Sequence, residues 1–264
     1  MNEIIIHTHI PKTGGDTLYA MLETMLPAGS VLKVMQDPGR APTYEEAMAD
    51  VVRLQPPEAL ENKCRLRAVT GHINYKWGLR AGIDPRRTKY IAVLRNPLHR
   101  VASFYLYMQA RPGEYRAKRP FREFLELDQV RDLHDGMTHR ITGGLREYQE
   151  AAENLRTKYT LVGVLDTFPD FARKVARLIG RRRPRYYRRN VGGWNTKEFV
   201  ERLDRDTFTR LVDLNREDYN LWLDVNEEFR GGPAKDPILP VRLWAFAEHR
   251  IKRPLGKLRP AIVR

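Results

Sequence analysis

Short apolar runs alternate along the chain with stretches in which apolar residues recur every three or four positions. The first run, Ile4–Ile6, is continuous and β-branched, which is typical of a strand buried on both faces of a parallel sheet. Further strands are predicted at Val31–Met35, Arg67–Thr70, Tyr90–Leu94 and Thr160–Val164. Helices are predicted at Tyr44–Leu54, Pro97–Ala110 and Phe168–Ile179, and one long helix is predicted to carry Phe208, Leu211, Val212, Tyr219 and Trp222. The alternation predicts an α/β fold with a central parallel sheet flanked by helices.

The same pattern predicts one domain followed by a tail. Residues 1–230 read as a single unit, because strands and helices alternate through most of them. Within this unit, residues 111–159 read as helices and loops and form a helical insertion. The segment Gly231-Gly-Pro begins an extension over residues 231–264, in which basic residues are mixed with apolar ones.

Composition limits the classes of protein and of partner. The 264 residues are 42% hydrophobic and 30% charged, which are values of a globular chain rather than of a disordered one. The formal net charge of +14 indicates an anionic partner: a nucleotide, an acidic glycan, nucleic acid or a membrane surface. Residues 173–189 alone carry nine basic residues and no acidic ones. The net charge alone does not indicate which of these partners the protein binds.

No metal site and no membrane segment are predicted. The single cysteine, Cys64, cannot form an intramolecular disulfide or a cysteine-based zinc site, and His134 and His139 have too few partners to suggest a metal. No run of about eighteen apolar residues occurs, and the N-terminus enters the first strand without a basic and apolar leader. We expect a soluble protein.

The first strand is followed by a segment suited to binding phosphate. Lys12-Thr13-Gly14-Gly15 follows Pro11, and from Asp16 onward apolar residues recur with helical spacing. Backbone N–H groups at a glycine turn and at a helix N-terminus bind anions, and Lys12 adds a full positive charge. The segment is not a Walker P-loop, because the lysine precedes the glycines.

A second basic segment follows the strand Tyr90–Leu94. It reads Arg95-Asn-Pro-Leu-His-Arg-Val-Ala-Ser-Phe-Tyr105. Arg95 stands at the carboxyl end of its strand, where open α/β sheets place ligands, and Ser103 falls about two turns along the next helix. A guanidinium and a hydroxyl together suit a second phosphate group.

In this order, the two segments resemble the phosphate-binding motifs of carbohydrate sulfotransferases that use 3′-phosphoadenosine 5′-phosphosulfate (PAPS), above all the branch of heparan sulfate 2-O-sulfotransferases and their bacterial relatives. The resemblance implies a P-loop-like sulfotransferase fold and PAPS as the cofactor, with 3′-phosphoadenosine 5′-phosphate (PAP) as product. It implies that the 5′ end contacts Lys12, Thr13, Gly14, Gly15, Asp16 and Thr17. It places the 3′-phosphate at Arg95 and Ser103, with Arg100 and Tyr105 also in register, and suggests PAP contacts for Arg189 or Asn190.

Two positions depart from the motifs of the resembled family. Asn96 replaces the usual aspartate, and Asp16 replaces the usual threonine or serine after the glycine pair. We expect Asp16 to be the helix N-cap, since carboxylates are good cap acceptors. Any hydroxyl contact at that position is lost, so Thr17 is expected to supply the side-chain contact.

The resemblance also implies a catalytic base and an acceptor. His72 follows Gly71 at a strand end between the two motifs, and in the family such a histidine takes the proton of the acceptor hydroxyl. An unperturbed imidazole is mostly neutral at pH 7 and suits this role. The implied acceptor is a glycan or glycolipid, bound near the helical insertion, where Met137-Thr-His-Arg140 resembles an acceptor-side segment. A lipid, a peptide tyrosine or a small alcohol stays open as the acceptor. His7 and His9 are expected to orient the first loop or to pack against the sheet.

Other functions stay open at this point. A P-loop-like kinase or nucleotide hydrolase would need a magnesium-binding serine or threonine after the lysine of a Walker motif and a downstream acidic strand end, and neither is evident in the sequence. A non-enzymatic binder of nucleic acid or membrane would use residues 173–189 and the basic tail, although we expect no nucleic-acid partner. The tail gives a possible peripheral membrane contact. The family's Golgi members carry an N-terminal anchor, so this chain is expected to be a bacterial cytoplasmic relative.

Overall fold

The computed structural model describes residues 3–34, 66–110, 119–187 and 193–230. Five parallel strands form one sheet in the order β2-β3-β1-β4-β5. Their bounds are β1 Ile4–Thr8, β2 Val31–Val34, β3 Ala68–Gly71, β4 Thr88–Leu94 and β5 Tyr159–Val164. The parallel sheet is therefore confirmed, with strand ends within one or two residues of those predicted.

Helices cover both faces of the sheet. They are α1 Gly15–Met25, α2 Trp77–Arg80, α3 Pro97–Gln109, α4 Phe121–Leu125, α5 Gly136–Thr142, α6 Tyr148–Thr157, α7 Phe168–Leu178, α8 Thr196–Glu201, α9 Arg205–Asp213 and α10 Arg216–Arg230. Short 3₁₀ turns occur at Pro85–Arg87, Asp128–Leu133 and Leu165–Thr167. Between β4 and β5, the described residues are helical and irregular.

The continuous apolar run of β1 is explained by burial on both faces. Ile4 and Ile6 pack into the core cluster that contains α3, whereas Ile5 packs into a second cluster with α1 and α7. Strand β4 alternates between the same two clusters. Both strands lie inside the sheet and are covered on either side, so apolar residues are needed at every position.

One helix prediction is wrong. The apolar positions assigned to a single long helix belong to two helices, α9 and α10, with a break at Leu214 and Asn215. The Asn215 side-chain amide donates to the backbone carbonyl of Leu211 at 2.9 Å, which satisfies a carbonyl near the end of α9. The two helices still pack apolar faces on the same core.

Several predicted features lie outside the described residues: the helix Tyr44–Leu54, Cys64, Arg189, Asn190 and the extension 231–264. Within the described ranges, no helix combines the length and the apolar character needed to cross a membrane.

The strand order brings three chain segments together at the carboxyl edge of the sheet. β1 lies between β3 and β4, and Thr8 is paired with Gly71 on one side and with Ala92 on the other. The segments that follow these strands therefore leave the sheet side by side. Such a point, where neighbouring connections diverge, is where open α/β sheets bind ligands.

Candidate active site

The loop after β1 has an unusual backbone. Lys12 and Gly14 both have positive φ angles, of 67° and 88°. Between them, Thr13 is fully buried and its hydroxyl donates to the backbone carbonyl of Ile10 at 2.8 Å, which closes the loop on itself. The loop therefore leads directly into α1 at Gly15, with a helix N-terminus at the carboxyl edge of the sheet.

The start of α1 differs from the prediction at Asp16. The N-cap is Gly14 in a left-handed conformation, and no side chain of the described residues caps the helix. Asp16 lies inside the first turn, where its negative charge interacts favourably with the positive N-terminal end of the helix dipole. Its Oδ1 lies 3.8 Å from Nζ of Lys33 on β2, so the negative charge beside the loop is partly balanced. The expected N-cap role of Asp16 is wrong, because the left-handed glycine already ends the loop.

Both glycines of the loop are required by their surroundings. A Cβ atom on Gly14 would lie 2.9 Å from Cδ1 of Leu165, and its φ angle is strained for other residues. A Cβ atom on Gly15 would lie 1.9 Å from Cδ2 of His9. Thr17, one turn into α1, is buried. The loop is therefore packed tightly from behind, while the helix N-terminus provides N–H groups for an anion.

Arg95 contacts this loop directly. Its Nη1 donates to the backbone carbonyl of Lys12 at 3.1 Å, and its Nη2 donates to the hydroxyl of Thr196 at the start of α8 at 3.0 Å. Burial, opposed by nearby Asp166, lowers the pKa of Arg95 to about 10, so the guanidinium stays charged at neutral pH. The two basic segments thus meet at one edge of the sheet.

Helix α3 explains the Asn96 departure and places Ser103. The Asn96 side-chain oxygen accepts from the backbone N–H groups of Leu98 and His99 at 3.0 and 3.2 Å, so asparagine caps the helix as aspartate would. Ser103 is buried in the second turn of the same helix. Further along, the ring of Tyr107 lies 4.0 Å from Nζ of Lys12, a cation–π contact that the sequence did not suggest.

Two other residues in register with the second motif hold the fold instead. Arg100 is fully buried, with its Nη2 3.1 Å from Oδ2 of Asp218, and it also donates to the carbonyl of Leu133. The Asp218 carboxylate accepts from backbone N–H groups at the start of α5. Tyr105 packs among phenylalanines, and its hydroxyl donates to the carbonyl of Arg119 at 2.8 Å. These residues tie α3 to the helical region after it.

Three histidines stand in a row beside the loop. The ring centroids of His7 and His9 are 5.5 Å apart and nearly parallel, and those of His9 and His72 are 4.8 Å apart. His7 is 0% exposed and His9 is 6% exposed, whereas His72 is only partly buried. Nδ1 of His7 is hydrogen-bonded to the Thr70 hydroxyl at 2.6 Å. The expectation that His7 and His9 pack against the sheet agrees with this burial.

All three rings are held in the neutral form. Burial, together with the neighbouring His72, lowers the pKa of His7 from 6.5 to about 3. The pKa values of His9 and His72 also lie well below 6.5, first because of burial and then because of nearby positive charge. For His72, the neighbours that lower the pKa are His9, Arg140 and Lys33, and Asp16 opposes them. A neutral imidazole at this edge can accept a proton at pH 7.

Arg140 and Lys33 also approach the candidate site, which their residue types and spacing along the chain do not predict. Arg140 is buried in α5, and its Nη1 donates to the carbonyl of Gly136 at 3.1 Å. Lys33 stands near the carboxyl end of β2, with its Nζ 4.3 Å from the Tyr19 ring. Both lie close enough to His72 to lower its pKa. The segment containing Arg140 carried a weak resemblance, but nothing in the pattern around Lys33 pointed to the site.

The residues at this edge suit a ligand with separate phosphate groups. Lys12 and the N-terminus of α1 provide one candidate anion-binding arrangement, and the Arg95 guanidinium, with Ser103 on the helix that follows it, is the candidate for a second. The hydrogen bond between Arg95 and the Lys12 carbonyl makes the two arrangements neighbours. A nucleotide with phosphates at both ends of its ribose, such as PAPS, fits this donor set.

Comparison with known proteins decides the class. A model of the sulfotransferase family matches residues 2–223, which include both basic segments and His72. The chain belongs to the sulfotransferase family. It is therefore an enzyme, a PAPS-dependent sulfotransferase that moves a sulfuryl group to a hydroxyl-bearing acceptor. The predicted fold, the transfer of a sulfuryl group and the PAPS cofactor are confirmed, and kinase or pure binding functions are not supported.

Individual relatives are distant. No curated protein sequence matches this chain. Among solved structures, mouse sulfotransferase SULT7A1 complexed with PAP is 14% identical, with a TM-score of 0.41, 92% of this chain covered and 84% of that one. A sulfotransferase from Alicyclobacillus acidocaldarius is 16% identical, with a TM-score of 0.40, 82% of this chain covered and 96% of that one.

Proposed function

We propose that this sulfotransferase transfers the sulfuryl group of PAPS to a hydroxyl of a carbohydrate, with His72 as the general base. The position of His72 is the observation that supports this proposal most directly. It follows β3 directly beside the Lys12 loop, and it is the least buried ring of the three-histidine row. A base must reach the acceptor hydroxyl while that hydroxyl faces the sulfuryl donor, and His72 combines a position next to the donor loop with access from outside.

The sulfuryl donor is proposed to bind across the two basic segments. Backbone N–H groups of Thr13, Gly14 and Gly15 would hold the 5′-phosphate at the start of α1. Arg95 and Ser103 would hold the 3′-phosphate. Asp16, Thr17, Arg189 and Asn190 remain proposed contacts; the last two lie outside the described residues.

When bound, PAPS supplies an activated sulfuryl group and a phosphate leaving group. The protein supplies position and charge. Neutral His72 accepts the proton of the acceptor hydroxyl as the hydroxyl oxygen attacks. The Lys12 ammonium offsets the negative charge that grows on the leaving oxygen, and its position over the Tyr107 ring limits the freedom of its side chain. No covalent bond to the enzyme is needed in such an in-line transfer.

The charges around His72 support a carbohydrate with acidic groups as the acceptor. Lys33 and Arg140 both approach this residue, from β2 and from α5 respectively. Cations beside an acceptor site favour carboxylate or sulfate groups near the reacting hydroxyl. This agrees with the proposed relation to the heparan sulfate 2-O-sulfotransferase branch. The position of Arg140 in α5 also supports residues 111–159 as the acceptor side of a catalytic unit over residues 1–230. The extension 231–264 stays a predicted membrane contact.

An acceptor panel with radiolabelled PAPS tests this function. The panel compares uronic-acid-containing oligosaccharides, matched neutral oligosaccharides, a tyrosine peptide, a lipid alcohol and a small alcohol at equal concentrations. We expect sulfate transfer to the oligosaccharides, with kcat/KM about tenfold or more higher for the acidic ones, since one favourable charge interaction is worth about 1.4 kcal/mol or more in such a site. Transfer confined to the tyrosine peptide, the lipid alcohol or the small alcohol would contradict the carbohydrate proposal.

A further inference from the structure

His9 connects the two halves of the candidate site through its backbone. Its N–H group donates to the carbonyl of Gly71 at 2.9 Å. Gly71 is the last residue of β3 and directly precedes His72. The strand segment that presents the proposed base is therefore hydrogen-bonded to the segment that leads into the Lys12 loop.

The His9 side chain makes the same connection a second time. On one side, its ring lies 4.8 Å from the His72 ring, centroid to centroid, at an interplanar angle of 56°. On the other side, it fills the space next to Gly15, where a Cβ atom would lie 1.9 Å from its Cδ2 and 2.0 Å from its Nε2. The ring is thus in contact with the first residue of α1 and with the proposed base at once.

The remaining face of the His9 ring is supported by His7. The two rings are stacked at 16°, and Nδ1 of His7 is fixed by the Thr70 hydroxyl. With only 6% of its surface exposed, His9 has little freedom to move and little access to an acceptor. Its contacts are suited to holding other groups in place.

We propose that His9 is a positioning residue that sets the distance and angle between His72 and the sulfuryl-donor loop. The inference rests on the proposed role of His72 and deepens it. In-line transfer needs the base, the acceptor hydroxyl and the sulfur atom in one fixed geometry, and a displacement of about 1 Å can cost about 100-fold in rate. The His9 side chain contacts both sides of this arrangement.

The charged and titratable groups that face the His9–His72 pair come from every element around it: His7 on β1, Lys12 in the loop, Asp16 on α1, Lys33 on β2 and Arg140 on α5. Removal of the His9 ring opens space beside His72 and admits water. We therefore expect the pKa of His72 to rise toward its ordinary value. The acid side of the pH–rate profile should then move to higher pH.

The test compares His9→Ala, His9→Gln and His72→Ala with the two double variants that contain His72→Ala. We expect His9→Ala to lower kcat about 10- to 100-fold, to shift the acid limb of the kcat profile upward, and to change PAP affinity less than about threefold. His9→Gln, which keeps a polar group of similar length, should recover part of kcat. In the His72→Ala background, His9→Ala should have almost no further effect on kcat, because it acts through His72.

The inference would be overturned if the losses in kcat from His9→Ala and His72→Ala were additive in the double variant. It would also be overturned if His9→Ala left the acid limb of the kcat profile at its wild-type pH. A drop of more than about tenfold in PAP affinity with kcat retained would also overturn it, since His9 would then serve the loop alone. Thermal unfolding of each variant identifies any that fail to fold. If His9→Ala fails to fold, the same double-mutant cycle is measured with His9→Gln and His72→Ala. If His72→Ala itself keeps wild-type turnover, the proposed base is wrong, which is a result distinct from a failure of the His9 inference.

Discussion

His72→Ala is expected to lower kcat by about 1,000-fold while PAP still binds with near wild-type affinity. General-base catalysis contributes about 10²–10⁴ in rate, and the imidazole lies at the carboxyl edge of the sheet without being part of the Lys12 loop or of α3. The loss should therefore appear in kcat rather than in nucleotide binding. Steady-state kinetics with a fixed acceptor and calorimetric titration of PAP measure the two quantities separately.

The pH profile gives the same prediction an independent check. The pKa of His72 is lowered well below 6.5, mainly by burial, so the free base stays available as the pH falls toward 6. Wild-type kcat should thus decline only below that range, and the decline should vanish in His72→Ala. His134→Gln, at a histidine between α4 and α5, is the matched control, and its kcat should show the same decline at low pH as the wild type. Near wild-type turnover in His72→Ala would show that His72 is not the general base.

Lys12→Met is the second change with a large expected effect, a loss in kcat of about 100- to 1,000-fold. The substitution keeps the length of the side chain and removes its charge. A preorganised charge at a developing anion is commonly worth 10²–10³ in rate. PAP affinity should fall less than kcat, because the backbone N–H groups at the start of α1 and the Arg95 guanidinium remain.

Lys89→Met is the matched control for this prediction. Lys89 stands near the start of β4, with its Nζ 3.1 Å from Oε1 of Glu3, and so lies at the opposite edge of the sheet. It should keep wild-type kcat and PAP affinity. Rapid-quench measurement of a single turnover reports the chemical step directly. If Lys12→Met changes only the PAP affinity and leaves the single-turnover rate intact, Lys12 binds the nucleotide without assisting the reaction.

The meeting of the two basic segments could be predicted from the sequence, because parallel strands carry their following loops to one edge. The Ile4–Ile6 run and the strand before Arg95 were both recognisable as buried strands of one parallel sheet, whereas their direct pairing is seen only in the structure. The contacts of Arg100 could not be predicted in the same way. Its partner Asp218 is 118 residues away, and only the packed helices bring the two together.

Local pattern also misled in two places. About three helical turns separate Phe208 from Tyr219, so their apolar spacing stays in phase across the break and imitates one helix. At Asp16, the residue type suggested an N-cap, but the left-handed Gly14 had already taken that position. The contacts of His9 could not be predicted from the sequence for a different reason. They come from β3 and α1 on either side, and spacing along one strand carries no information about them.

The central claim is that the Lys12 loop and Arg95 hold one nucleotide by phosphates at both of its ends. The most direct measurement is the thermal unfolding midpoint of the wild-type enzyme with PAP, compared with 5′-AMP at the same concentration. PAP at about 100 times its Kd should stabilise the enzyme by about 2.7 kcal/mol and raise the midpoint by about 5 °C or more. AMP, which lacks the 3′-phosphate, should give a much smaller shift. Equal shifts with PAP and AMP would contradict the claim.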